Sequence, residues 1–249
     1  MTKLTKLKNI FKILNFLLFS KKNSVRNILI KYPEIVFNNS SDDKDEILRG
    51  YFSNLPLNGQ KIRKKLVSQI INEFKPNKLI ETGTYLGNTL EFLLTFNIPT
   101  YSVEINEKYY LIAKSRFINQ KNLNLILDSS ITFLSNLSNI EDDVFVYLDS
   151  HWYEDLPLEQ ELEILSKFQE IIVLIDDFKV PQSNDWNYDS YGDTNLTLEN
   201  VIFPNEFKIY FPSYSAKEDG GFMTGCVIIA KGDKAIKILD KSMYLEKYL

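Results

Sequence analysis

From Lys61 onward the apolar positions follow two periods in turn. Ile62, Leu66, Ile70 and Phe74 recur every four residues, which predicts a helix with one apolar face. Short continuous apolar runs follow at Leu79–Ile80, Tyr101–Val103, Leu123–Leu127, Val144–Leu148 and Ile171–Ile175. Between them lie helix-patterned segments at Thr89–Phe96, Glu107–Phe117, Ile131–Leu137 and Leu158–Phe168. Unbroken apolar strands alternating with helices predict an α/β chain whose doubly wound parallel sheet is covered on both faces. Beyond residue 200 the pattern changes to two strand-like runs, Phe207–Phe211 and Phe222–Ala230, joined by a polar turn that holds Asp219, Gly220 and Gly221. That pattern predicts an antiparallel hairpin closing the sheet.

The main domain is placed at residues 58–249 and a helical extension at residues 1–57. Within the extension, Lys3, Lys6, Lys8 and Lys12 precede or interleave with Ile10, Phe11, Ile13, Leu14 and Phe16–Phe19. Lys12 and Asn15 interrupt the apolar run, Ser20-Lys21-Lys22 replaces a small-residue cleavage site, and the run falls short of the ~20 residues needed to span a bilayer. An amphipathic helix over residues 3–19 is expected. It either packs on the domain or on a second subunit, or attaches peripherally to an anionic membrane. Residues 41–46 read as a solvated turn or helix start.

The chain has 249 residues, 44% of them hydrophobic, enough for a substantial core. Its formal charge of −4, from 29 basic and 33 acidic residues, gives no general attraction for nucleic acid. The single cysteine, Cys226, cannot form an internal disulfide or a zinc cluster, and its apolar neighbours predict a buried thiol in a strand. The composition is cytoplasmic in style, with the inner membrane face as the second expected location through residues 3–19.

Leu79-Ile80 runs into Glu81-Thr82-Gly83-Thr84-Tyr85-Leu86-Gly87-Asn88-Thr89, a strand, a tight loop and a helix start. Glycines at 83 and 87 permit backbone angles closed to other residues, and the helix beyond offers free N–H groups. The spacing is not the G-x-G-x-x-G of dinucleotide sites, and no Lys-Ser or Lys-Thr follows for a nucleoside triphosphate. The pattern E-x-G-x-x-x-G-x-T resembles motif I of class I S-adenosylmethionine-dependent methyltransferases. The second strand candidate ends in Glu104, roughly 20 residues on, where a βαβ unit presents an acid to ribose hydroxyls. The third ends in Asp128-Ser129, where the resemblance implies an adenine-edge contact and the residues alone equally allow a helix cap. The resemblance implies S-adenosylmethionine as cofactor, held by Glu81, Gly83, Thr84, Tyr85, Gly87, Thr89, Glu104, Asp128, Ser129 and Asp149. It also implies a seven-stranded Rossmann-like sheet ending in the antiparallel hairpin.

Val144–Leu148 runs into Asp149-Ser150-His151-Trp152, and Ile171–Ile175 into Asp176-Asp177. In a doubly wound sheet these acids meet at the carboxyl ends of neighbouring strands. Their repulsion is relieved by protonation, by an intervening basic side chain or by a hard divalent cation, of which the cation is the favoured expectation. Asp176 acting as a turn cap, with Asp177 in solvent or paired with Lys179, is the plainer alternative. The run Leu148–Leu158 followed by Ile175–Pro181 resembles the metal-dependent O-methyltransferases that modify sugars, including macrolide (macrocin) and aminocoumarin glycosides. That resemblance, over residues 79–230, implies Mg²⁺ on Asp149, Asp176 and Asp177. It also implies a general base two residues after Asp149, where this chain carries His151 instead of the usual acid. Asp149 and His151 are therefore the candidate catalytic residues. The polar loop 182–195 carries Trp186, Tyr188 and Tyr191, suited either to a sugar-binding lid or to ordinary surface packing.

The combined expectation is methyl transfer to a hydroxyl of a saccharide or glycosylated small molecule, by a protein able to form a homo-oligomer. Two rivals stand beside it. One is a short-chain dehydrogenase using NAD(P), suggested by the glycine turn and by Tyr110-x-x-x-Lys114, although that pair falls too early in the chain. The other is a non-catalytic cofactor-fold subunit of a surface-polysaccharide assembly.

Overall fold

The computed structural model describes residues 55–138, 141–151, 156–181, 183–191 and 194–248. The amphipathic helix expected at residues 3–19, and most of the extension, lie outside them. Among the described residues no helix is long and apolar enough to cross a membrane.

The described residues open with a tight turn at Pro56–Gly59, then α1 (Lys61–Phe74), β1 (Lys78–Thr82), α2 (Asn88–Leu94), β2 (Thr100–Glu104), α3 (Glu107–Arg116) and β3 (Leu123–Leu127). It continues with α4 (Ser130–Ser135), β4 (Val144–Leu148), α5 (Leu158–Leu165) and β5 (Ile171–Asp176). A two-strand ribbon, β6 (Ser190–Tyr191) and β7 (Thr194–Asn195), precedes β8 (Lys208–Pro212), α6 (Ala216–Asp219), β9 (Cys226–Lys231), α7 (Asp233–Leu239) and β10 (Leu245–Lys247). The main sheet has eight strands in the order β10-β8-β9-β5-β4-β1-β2-β3. Strands β1 to β5 are mutually parallel, and β9 pairs antiparallel with both β5 and β8. This is the doubly wound, mostly parallel Rossmann-like α/β sheet closed by antiparallel strands that the sequence predicts, with β10 added as a short antiparallel eighth strand at the edge.

Side chains alternate across the sheet and build a core on each face. Ile80, Val144, Val146, Leu148, Val173 and Val227 join one cluster, with α4 and α5 residues over it. Leu79, Phe145, Tyr147, Leu174 and Ile228 join the other, beneath Leu66, Ile70 and Phe74 of α1. Burial on both faces is the reason these strands read as unbroken apolar runs rather than as alternating ones.

The connection from β8 to β9 contains α6, whose Ser215 and Glu218 form a reciprocal capping box. Asp219 is fully buried, and its carboxylate accepts hydrogen bonds from the Ile62 and Arg63 amides and from the Gln60 side chain. It thereby serves the open amino end of α1 and fixes that helix against the sheet.

Candidate active site

In a parallel sheet all carboxyl ends open on one side, and this one collects the acids of four strands. Glu81 on β1 is 1% exposed, with its carboxylate accepting from the Ser102 hydroxyl of β2. Ser102 is itself 2.5 Å from the Thr84 hydroxyl. Burial, and secondarily the nearby Glu104 charge, push Glu81 up to about 8. Glu104 accepts from the Tyr85 amide at 2.7 Å and the Asn106 amide at 2.8 Å. Burial still leaves its carboxyl above the usual range. The Ile105 amide donates to it as well, so three of the four lone-pair positions of the carboxylate are met by the chain and one remains for a ligand.

The two loop glycines are required, for a reason the sequence did not disclose. A Cβ on Gly83, at φ +82°, would meet the Asp149 carbonyl oxygen at 2.1 Å, and one on Gly87, at φ +78°, would meet the Phe117 ring at 2.5 Å. Both glycines admit neighbouring chain. Gly83 in particular brings the β1 loop against the β4 loop, a contact completed by the Asp149 amide donating to the Thr82 carbonyl at 3.0 Å. Tyr85 takes φ +47° between the glycines, with its ring 4.6 Å from that of Tyr109. Thr89 is turned away from the loop and accepts from the Leu57 amide at 3.1 Å. Ser129 is the cap of α4, accepting from the Thr132 amide, while Asp128 at the end of β3 stays half-exposed beside it.

Asp149, His151 and Asp177 form the converging group, with one ligand atom from each lying within 4.8 Å of the others. The β4 loop that carries Asp149 and His151 is pinned by Ser150, whose hydroxyl donates to the buried Glu161 of α5 at 2.7 Å. Asp177 sits at φ +52°, and its carbonyl accepts from the Asp189 amide at 2.9 Å. Burial first, and then the charges of Asp176 and Asp189, raise the carboxyls of Asp149 and Asp177 well above the usual range. For His151 burial outweighs the neighbouring carboxylates and lowers the pKa, so the imidazole is neutral at pH 7. Two carboxylates and a neutral imidazole are a donor set that fits a divalent cation.

Asp176 is placed differently from the metal ligand expected of it. One oxygen accepts from the Arg63 guanidinium of α1 and from the Asp177 amide. The other accepts from the Tyr147 hydroxyl and the Asn58 side-chain amide. Four donors fill the four lone-pair positions of the carboxylate. The intervening basic side chain anticipated as one way of easing the repulsion is thus Arg63, while the remaining acids form the converging group.

Sequence reasoning missed Arg63, Tyr147, Asn58 and Asp189. Arg63 is a charged residue beside the apolar stripe of α1 and reads from sequence as solvent-facing although it is buried, and Asn58 lies in a turn whose left-handed Leu57 and Asn58 give no simple signal. In the 182–195 loop, Trp186 is 5% exposed and packs edge-on against Tyr214, so it belongs to the core and offers no open face. Tyr188 is exposed, with the Lys179 ammonium over its ring. The Tyr110–Lys114 pair lies one turn apart on α3, at 3.2 Å, away from the strand ends.

The architecture is shared with solved methyltransferases. The O-methyltransferase TomG from Streptomyces achromogenes, involved in tomaymycin synthesis and solved with S-adenosylmethionine, superposes with a TM-score of 0.51 at 12% identity, over 93% of this chain and 100% of that one. The O-methyltransferase from Bacillus cereus, solved with S-adenosylhomocysteine, gives a TM-score of 0.51 at 14% identity, over 81% of this chain and 96% of that one. These likenesses establish the fold. No family model matches the chain.

Proposed function

We propose that this protein is an S-adenosylmethionine-dependent O-methyltransferase, assisted by a divalent cation and acting on a hydroxyl of a saccharide or glycosylated small molecule. The observation that carries the reading is the convergence of Glu81, Glu104, Asp149, His151 and Asp177 at the carboxyl ends of β1, β2, β4 and β5. Buried acids that repel one another favour cationic ligands, and the cofactor brings both an ammonium and a sulfonium.

S-adenosylmethionine supplies a methyl group on a positive leaving centre. A divalent cation held near Asp149 and Asp177 supplies charge that lowers the pKa of an acceptor hydroxyl. The chain's own residues supply position and dryness. Glu104 would accept a ribose hydroxyl with its remaining lone pair, and Glu81 would face the amino-acid end. Ser150 and Gly83 hold the β4 loop in register with the β1 loop, so that acceptor and methyl donor meet in line. His151 is kept neutral by burial, which leaves a lone pair available for the acceptor proton or for a cation.

Support for a sugar acceptor comes from the motif Leu148–Leu158 with Ile175–Pro181 and from Tyr188 exposed next to Asp189. The test is methyl transfer from labelled S-adenosylmethionine to a panel of nucleotide sugars and cell-surface glycans, with and without EDTA. Label in a glycan, lost on chelation, is the expected result. Cofactor binding without turnover on any extract would favour the non-catalytic subunit.

A further inference from the structure

The geometry points to His151 as a direct ligand of the cation, in the place that Asp176 was expected to fill, so that the site selects a first-row transition-metal ion such as Mn²⁺ over Mg²⁺. This rests on the cation-assisted reading above. Asp176 has no acceptor position left, because Arg63, the Asp177 amide, Tyr147 and Asn58 occupy all four. Withdrawing Asp176 would strand the Arg63 guanidinium, whose side chain is 0% exposed. Two acids remain, and the third ligand atom within reach is an imidazole nitrogen.

The spacing agrees with this assignment. Atoms bound to one ion at about 2.1 Å stand about 3.0 Å apart when adjacent and about 4.2 Å apart when opposite. The atoms of Asp149, His151 and Asp177 lie within 4.8 Å of each other, so side-chain movements of at most about 1 Å close the set. Mg²⁺ prefers oxygen ligands and near-ideal octahedral geometry, whereas an imidazole with two carboxylates suits Mn²⁺, Fe²⁺ and metals further along the first row.

His151 is the only histidine in the chain, which makes the test unambiguous in protein prepared without a histidine tag. The full-length protein is loaded with Mn²⁺ and examined by pulsed electron paramagnetic resonance for imidazole ¹⁴N coupling, while continuous-wave spectra give the affinity. The inference expects ¹⁴N coupling in the wild type and its loss in His151→Gln. It also expects Mn²⁺ affinity to fall about tenfold or more in that variant, with an unchanged circular dichroism spectrum. Mg²⁺ should displace Mn²⁺ from the wild type only at large excess, and from His151→Gln more readily. Mn²⁺ bound without nitrogen coupling would overturn the inference and leave the cation-assisted reading standing. Failure of the wild type to bind Mn²⁺ at all would overturn both.

Discussion

The Arg63 guanidinium and the Asp176 carboxylate form an ion pair with both side chains at 0% exposure, joining α1 to the end of β5 directly behind the candidate site. Burial opposes the charge on Arg63, and Asp176 more than restores it, so the guanidinium stays protonated at any accessible pH. Breaking such a pair from one side leaves an uncompensated charge in the interior. Arg63→Met is expected to lower unfolding free energy by about 3–5 kcal/mol, and the double variant Arg63→Met/Asp176→Asn by less. Urea titrations of the two variants beside the wild type check the order. A single variant less damaging than the double would contradict it.

Glu81 gives stability a definite pH slope. Its folded pKa of about 8 lies above the ordinary 4.5, so between those values the folded chain holds a proton that the unfolded chain has released. Stability is then greatest below pH 4.5 as far as this group is concerned, and falls as pH rises toward 8, by up to about 1.4 kcal/mol per unit. Above pH 8 its contribution is flat. Glu81→Gln should remove that part of the slope between pH 5 and 8 and be more stable than wild type at pH 8. Parallel slopes for the two proteins would contradict the burial of this carboxyl.

Gly83 and Gly59 make a matched pair, since both adopt positive φ yet differ in their surroundings. A Cβ at Gly59 meets nothing closer than 3.6 Å, so Gly59→Ala should cost only the backbone preference, about 1–2 kcal/mol. A Cβ at Gly83 collides with the Asp149 carbonyl, so Gly83→Ala should cost about 3 kcal/mol or more and also weaken Mn²⁺ binding by displacing Asp149. Thermal or urea unfolding of both variants, followed by Mn²⁺ titration, separates the two effects.

Much of the scaffold was legible because strands buried on both faces leave an unmistakable apolar signature. Leu123–Leu127 and Val144–Leu148 match their strands residue for residue, and Ile171–Ile175 falls one short of β5. Cys226 is the buried strand thiol that its neighbours foretold, its pKa pushed up to about 12 by burial. α6 was hidden because four residues carry no period, and β10 because an edge strand of three residues has no alternation to detect. At the site, Glu81, Glu104, Asp149 and Asp177 announced themselves as acids ending apolar runs. What sequence could not convey was the division of labour between Asp176 and Asp177. It depends on Arg63, 113 residues earlier in the chain, reaching one carboxylate and not the other. For Trp186 the sequence left a sugar-binding lid and ordinary packing equally open, since a polar loop does not show which way its aromatic side chain turns, and it turns inward against Tyr214.

The central claim, that the carboxyl ends of β1 and β2 hold the adenosyl cofactor, is tested most directly by calorimetric titration of S-adenosylmethionine into the wild type and Glu104→Gln. Saturable binding of one equivalent to the wild type is predicted, with affinity about tenfold lower or worse in the variant, because hydrogen bonds to a charged acceptor are lost. No binding to the wild type, or equal binding to both proteins, would contradict the account.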